Sequence, residues 1–115
     1  MNHGPLLTRQ EYERHIVALY HDVPPSPPPD RQRALARQEL DLLIDHRLGI
    51  HFPNERRDAL WQVHQRYQGS LLRSMAFAIS HRLMNLRLNW LSRRFLRAYR
   101  ALLSEEEFHA LFGNI

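Results

Sequence analysis

The chain contains no cysteine and no lysine, and these two absences set the first limits on its chemistry. Without cysteine there is no disulfide, no thiolate metal site and no cysteine nucleophile, which is compatible with a reducing compartment. We therefore expect the protein in the cytoplasm. All 16 basic residues are arginine. Either the genome favours arginine codons, or guanidinium is selected because its planar fork binds phosphate and carboxylate through two hydrogen bonds at once.

Signals for strands and for membrane insertion are also scarce. No segment alternates apolar and polar residues with a period of two, and valine and threonine are few. The most apolar stretch, residues 71–91, contains three arginines and falls short of the roughly 20 apolar residues of a spanning helix. The N-terminal tail, residues 1–8, has no export-signal pattern. With 115 residues, the sequence predicts one all-α domain, a compact bundle of four to six helices.

The first helix and the segment after it are clearly marked. Thr8 and Glu11 form a capping-box pattern, which predicts a first helix over residues 9–22. A proline-rich connector, residues 24–29, ends that helix because proline continues neither a helix nor a sheet ladder. A dense proline run also satisfies the Pro-x-x-Pro pattern that SH3-type domains bind. We favour a rigid spacer between helices.

The boundaries of the later helices are marked less evenly. Asp30 is predicted to cap a second helix that ends before Gly49, and Asn54 to cap a third after a short loop, so that the two helices are neighbours. From residue 54 to residue 103 there is no proline, and the number of helices stays open. Both helical faces are apolar over residues 83–91, so either one helix changes partners near Trp90 or the chain breaks between residues 85 and 89, and we favour the break or kink.

Charge is distributed very unevenly along the chain. Residues 1–58 hold eight arginines and nine acidic residues, a net charge of −1. Residues 59–104 hold eight arginines and no acidic residue, and residues 105–115 hold three glutamates. Helices ordinarily interleave the two signs at i, i+4 for local stabilisation. A helical span of this length without acid therefore predicts a basic surface with a partner of opposite charge.

Five arginines near the C-terminus form the candidate arginine face, and three interpretations of it compete. They are Arg87, Arg93, Arg94, Arg97 and Arg100. The face could pair inside the fold or across a dimer with an acidic complement, Glu39, Asp41 and Asp45. It could instead bind an acidic protein, or the phosphates of a nucleic acid. A membrane is disfavoured, because aromatic residues in a chain of this size usually belong to the core.

The eight histidines do not form a catalytic or metal-binding motif. There is no His-Glu-x-x-His pair, and a zinc site needs three or four convergent ligands. Ser104 and Glu107 form a second capping box before a short terminal helix. No serine sits on a glycine elbow, and only four glycines are present, too few for a phosphate loop. We therefore expect no enzyme, no cofactor and no metal.

The aromatic residues of the C-terminal half exceed what one face of each helix can bury. This predicts an apolar partner surface, formed by Trp61, Tyr67, Trp90, Phe95 and Tyr99. The interpretation we favour is a non-enzymatic helical module for protein–protein interaction, such as an adaptor, chaperone-like or regulatory subunit. Its partner is another protein or a second copy in a homodimer. The alternative is a nucleic-acid-associated protein that binds phosphates through the arginine face.

Overall fold

The described part of the protein is built of helices. The structure, a computed structural model, describes residues 3–77 and 93–112, with side chains for 3–67 and 93–112. Within those residues there are five helices and no strand, which confirms the predicted all-α class. The helices are α1 Arg9–Tyr20, α2 Pro29–Arg47, α3 Asn54–Phe77, α4 over residues 93–102, and α5 Glu105–Phe112.

The start of α1 is fixed by the predicted capping box. The backbone N–H of Glu11 donates to Thr8 Oγ1 at 3.1 Å, and the backbone N–H of Thr8 donates to Glu11 Oε1 at 3.1 Å. Two backbone donors that have no partner inside the helix are thereby satisfied. The helix ends at Tyr20, two residues before the predicted limit, where the chain turns into the connector.

The start of α2 differs from the prediction. The helix begins at Pro29, its N-cap is Pro28, and Asp30 lies in the first turn instead of at the cap. Proline suits the first helical position because its fixed φ is helical and its missing N–H is not needed there. The Gln32 side chain donates to the carbonyl of Pro27 at 2.8 Å. The last proline of the predicted connector therefore belongs to the helix.

The turn after α2 holds the N-terminal residues against the bundle. Gly49 ends the helix as predicted and has φ +132°, a conformation that other residues rarely adopt. The backbone N–H groups of Ile50 and His51 donate to the carbonyls of Pro5 and His3 at 3.0 and 2.8 Å. Over residues 3–8, the predicted tail is thus an ordered segment bonded to this turn. We call it the N-terminal strap.

The core is centred on α2, which packs against α1, α3 and α5. Its contact with α3 confirms that these two helices are neighbours. Full burial of one large apolar side chain contributes about 1.5–3 kcal/mol. The buried cluster consists of Leu40, Ile44, Leu48, Phe52, Leu60, Tyr99, Leu103, Phe108 and Leu111. By contrast, α1 has no buried residue and forms an outer layer on α2.

Two further sequence predictions concern the middle of the chain. The break expected near residues 85–89 lies outside the described residues, so α3 and α4 are described separately. None of the helices in the described part combines the length and the apolar content that a membrane span requires.

Candidate functional site

The arginine face lies on α4, on the opposite side from the core. Tyr99 and Leu103 of this segment enter the buried cluster. Arg93, Arg94, Arg97 and Arg100 are all exposed, and Arg87 lies outside the described residues. Positions 93, 97 and 100 follow i, i+4, i+7 spacing, which aligns them along one helical face. At 1.5 Å per residue this row is about 10 Å long.

The arginines of this row differ in their surroundings. Arg100 Nη1 lies 3.9 Å from Glu105 Oε1, and the Arg100 guanidinium carbon is 4.5 Å from the centre of the Phe108 ring. Arg93 and Arg97 form no ion pair or hydrogen bond with any residue of the described ranges. Arg100 is therefore engaged at the start of α5, while Arg93 and Arg97 present their charge to solvent.

Asp41 and Asp45, two of the three members of the predicted acidic complement, form ion pairs with arginines outside the arginine face. Arg57 Nη2 donates to Asp45 Oδ1 at 2.6 Å, and Arg37 Nε donates to Asp41 Oδ2 at 3.1 Å. Arg57 Nη1 also lies 3.4 Å from Asp41 Oδ1. The reason is topological: Asp41 has Arg37 one turn away on its own helix, and α3 begins just after the turn that ends α2, which brings Arg57 next to both carboxylates.

Glu39, the third member of the complement, faces α1. Hydrogen bonding to Glu39, helped by partial burial, raises the pKa of the Tyr20 hydroxyl to about 12. Tyr12 of α1 stacks on His46 of α2, with ring centres 4.9 Å apart. These two contacts hold α1, which has no buried residue, against α2.

Arg57, in the first turn of α3, donates several hydrogen bonds to the turn between α2 and α3. It is only 6 % exposed, and its guanidinium also donates to the carbonyls of Phe52, Gly49 and Ile50, at 2.9, 3.3 and 3.4 Å. A buried arginine of this kind requires that nearly all its donors be satisfied. The sequence analysis did not predict this role of Arg57. The pattern that indicates it is two acidic residues one turn apart on α2, followed by a short loop and a pair of arginines.

A second buried ionic cluster joins three distant parts of the chain. Glu107 is 5 % exposed and accepts two hydrogen bonds from Arg56, at 2.6 and 2.8 Å. His3 Nε2 lies 2.6 Å from Glu107 Oε2. The predicted capping box is confirmed, since Ser104 N donates to Glu107 Oε1 at 2.8 Å and Ser104 Oγ accepts from Glu107 N at 3.1 Å. The Arg56 guanidinium, first among these partners, holds the pKa of Glu107 far below its usual range.

The predicted aromatic partner surface is partly core. Tyr99 is 2 % exposed, donates from its hydroxyl to the Leu60 carbonyl at 3.4 Å, and has its pKa raised to about 12 by burial. The expectation that it lies on a surface is wrong, because the side of α4 opposite the arginines faces the bundle. Trp61 and Phe95 are half-buried and pack against the core, and Tyr67 meets Phe95 edge to face. Trp90 lies outside the described residues.

All five helices contribute to a partly open cavity of about 300 Å³, which we call the interhelical cavity. Its walls are apolar and aromatic apart from one carboxylate and one imidazole, those of Glu39 and His64. The lining consists of Tyr12, Ile16, Ala36, Glu39, Leu40, Leu43, His64, Phe95, Tyr99, Leu111 and Phe112.

Neither a metal site in the described residues nor a similarity to known proteins indicates a function. In the part of the chain that the structure describes, no three histidine or acidic side chains converge as metal ligands would. No family model, no curated protein and no solved structure matches this sequence or fold. The arginine face and the interhelical cavity are therefore the features of this chain that bear on its function.

Proposed function

We propose that this protein is a non-enzymatic helical interaction module that binds an acidic segment of a partner protein through the arginine face. The observation that carries the proposal is the exposure of Arg93 and Arg97 without a partner among the described residues. Asp41 and Asp45, two members of the predicted acidic complement, are engaged by Arg37 and Arg57. Two aligned cations with no counter-charge among the described residues favour a partner from outside the fold.

The size of the face favours a peptide over a nucleic acid. The row from Arg93 to Arg100 is about 10 Å long and is followed at once by the exposed Glu105 and Glu106 of α5. A nucleic-acid backbone continues past so short a row and brings phosphates towards these carboxylates, where like charges repel. A protein segment with two or three acidic side chains matches the row without extending beyond it.

The location proposed for the module is the cytoplasm, because a chain without cysteine gains nothing from an oxidising compartment. An enzymatic role is not part of the proposal.

The test compares two labelled helical peptides by fluorescence anisotropy. One carries glutamate at i, i+4 and i+7, and the other carries glutamine at the same positions. We expect the protein to bind the glutamate peptide, and the Arg93→Gln, Arg97→Gln double variant to bind it about tenfold more weakly. The matched control is Arg14→Gln, Arg47→Gln, which removes the same charge from exposed sites on α1 and α2.

Three results would contradict the proposal. One is equal loss of binding in both double variants, which would indicate a general charge effect. Another is equal binding of the two peptides. The third is tighter binding of a duplex DNA probe, with a salt slope near −0.9 per phosphate that falls by about two in the double variant, which would favour the nucleic-acid alternative. Sedimentation of the protein alone tests a second copy as the partner, because a dimer on this face would be dissociated by the same double variant.

A further inference from the structure

The interhelical cavity has the composition of a small-molecule site. Its volume of about 300 Å³ lies at the lower end of known ligand pockets, which combine apolar walls with a few polar groups. Tyr12 and Ile16 of α1 form one wall, and Phe95 and Phe112 of α4 and α5 form another. The site lies on the core side of α4, away from the arginine face, so its argument does not depend on the proposed function.

The charge of the lining favours ligands of one sign of charge. Among the described lining residues, Glu39 supplies the one carboxylate and there is no arginine. An anionic ligand would meet a carboxylate with no compensating cation, whereas a cationic ligand would gain a counter-charge in surroundings of reduced dielectric. We infer that the interhelical cavity binds a small organic cation, an ammonium group carried on an apolar or aromatic body.

The side chains around Glu39 suit this chemistry. An ionised carboxylate accepts up to about four hydrogen bonds, so its bond with Tyr20 leaves acceptor sites for an ammonium group. The aromatic rings of Tyr12 and Phe95 belong to the lining, and aromatic rings attract cations at short range. His64, also in the lining, is stacked on Trp61 with ring centres 5.5 Å apart. The ligand is therefore recognised by one carboxylate within an apolar enclosure.

The experiment titrates the full-length protein with three probes of nearly equal size, followed by amide and side-chain NMR shifts. They are 2-phenylethylammonium, neutral 2-phenylethanol and anionic phenylacetate. Probes this small bind with dissociation constants of about 1 mM when well seated. We expect the ammonium probe to bind at least about fivefold more tightly than the alcohol, with the largest shifts at lining residues, and phenylacetate to bind most weakly.

Two variants and one control locate the effect. Glu39→Gln should remove the preference for the ammonium probe while leaving the affinity for the alcohol within about twofold. Ala36→Leu, which fills the cavity with a good helix former, should weaken the ammonium and alcohol probes alike. Glu13→Gln removes an exposed carboxylate from the outer side of α1 and should change nothing. Phenylacetate binding as tightly as the ammonium probe, shifts mapping away from the lining, or no saturation by any probe would overturn the inference.

Discussion

Arg56 and Glu107 meet through two parallel hydrogen bonds, from Arg56 Nη1 to Glu107 Oε2 at 2.8 Å and from Arg56 Nη2 to Glu107 Oε1 at 2.6 Å. The pair joins the first turn of α3 to the first turn of α5. The Arg56 guanidinium also covers the Phe52 ring at 4.6 Å and donates to the Leu102 carbonyl at 3.0 Å. The Glu107 carboxylate also lies against His3, so this one side chain links the N-terminal strap, α3 and α5.

Replacing that carboxylate should be costly. We expect Glu107→Gln to lower the free energy of unfolding by about 2 kcal/mol, because it removes the charge from hydrogen bonds that charged partners strengthen. Urea unfolding followed by circular dichroism measures the change. The control is Glu13→Gln, which breaks the exposed pair with Arg9 and should have no measurable effect. Equal stability of the two variants would show that the buried pair contributes no more than a surface pair.

The same carboxylate predicts how stability depends on pH. Folding depresses the pKa of Glu107 below its ordinary value of 4.5. A depressed folded pKa contributes stability that is complete above the unfolded pKa and is lost as the pH falls towards the folded value. The stability difference between the native protein and Glu107→Gln should therefore be constant above about pH 5 and shrink steadily below pH 4.5. If the stability difference between the native protein and Glu107→Gln did not change with pH, the depressed pKa of Glu107 would not be its cause.

Arg57 should not tolerate replacement by lysine. A lysine keeps the charge but lacks the planar fork that donates to Asp45 and to the carbonyls of the turn. We expect Arg57→Lys to cost about 2 kcal/mol of unfolding free energy, since buried acceptors lose their donors. Arg37→Lys, at a more exposed ion pair with Asp41 and Asp58, should cost less than about 1 kcal/mol. If Arg37→Lys lowered the free energy of chemical unfolding more than Arg57→Lys, Arg37 would be the residue that mainly stabilises this turn.

Gly49 should accept no side chain, not even asparagine. A Cβ at this position would lie 2.2 Å from the His3 carbonyl oxygen, and the φ of +132° is far from the left-handed helical region that asparagine tolerates. Both Gly49→Ala and Gly49→Asn should therefore destabilise the protein by about 2 kcal/mol or more. Thermal unfolding compares the two. If asparagine restored most of the stability, the constraint would be the ordinary one of a helix terminus and not the close approach of the N-terminal strap.

Local patterns predicted local structure well, and the reasons are physical. The pairs Thr8–Glu11 and Ser104–Glu107 cap their helices within three residues, so the sequence alone carries the whole interaction. The helical class follows in the same way from spacing. Asp30 is the exception: its side chain suits a cap, but proline at the first helical position starts the helix one residue before it.

The long-range contacts of the site could not be read in this way. Arg56 and Glu107 are 51 residues apart, and nothing near either residue marks the other as its partner. Periodicity correctly placed Tyr99 and Arg97 on different sides of one helix, but it does not say which side the rest of the bundle covers. Tyr99 was therefore assigned to a surface, although it lies in the core.

The N-terminal strap has a consequence for how the chain assembles during synthesis. Its bond from His3 to Glu107 spans 104 residues, nearly the whole described chain. The entropy lost on closing a loop grows with the logarithm of its length, so this contact forms after the shorter ones that bring α3 and α5 together. A ribosome delivers His3 long before Glu107 exists. The strap can therefore bond to the turn after α2 early in synthesis, whereas the contact of His3 with Glu107 forms only once α5 has been made.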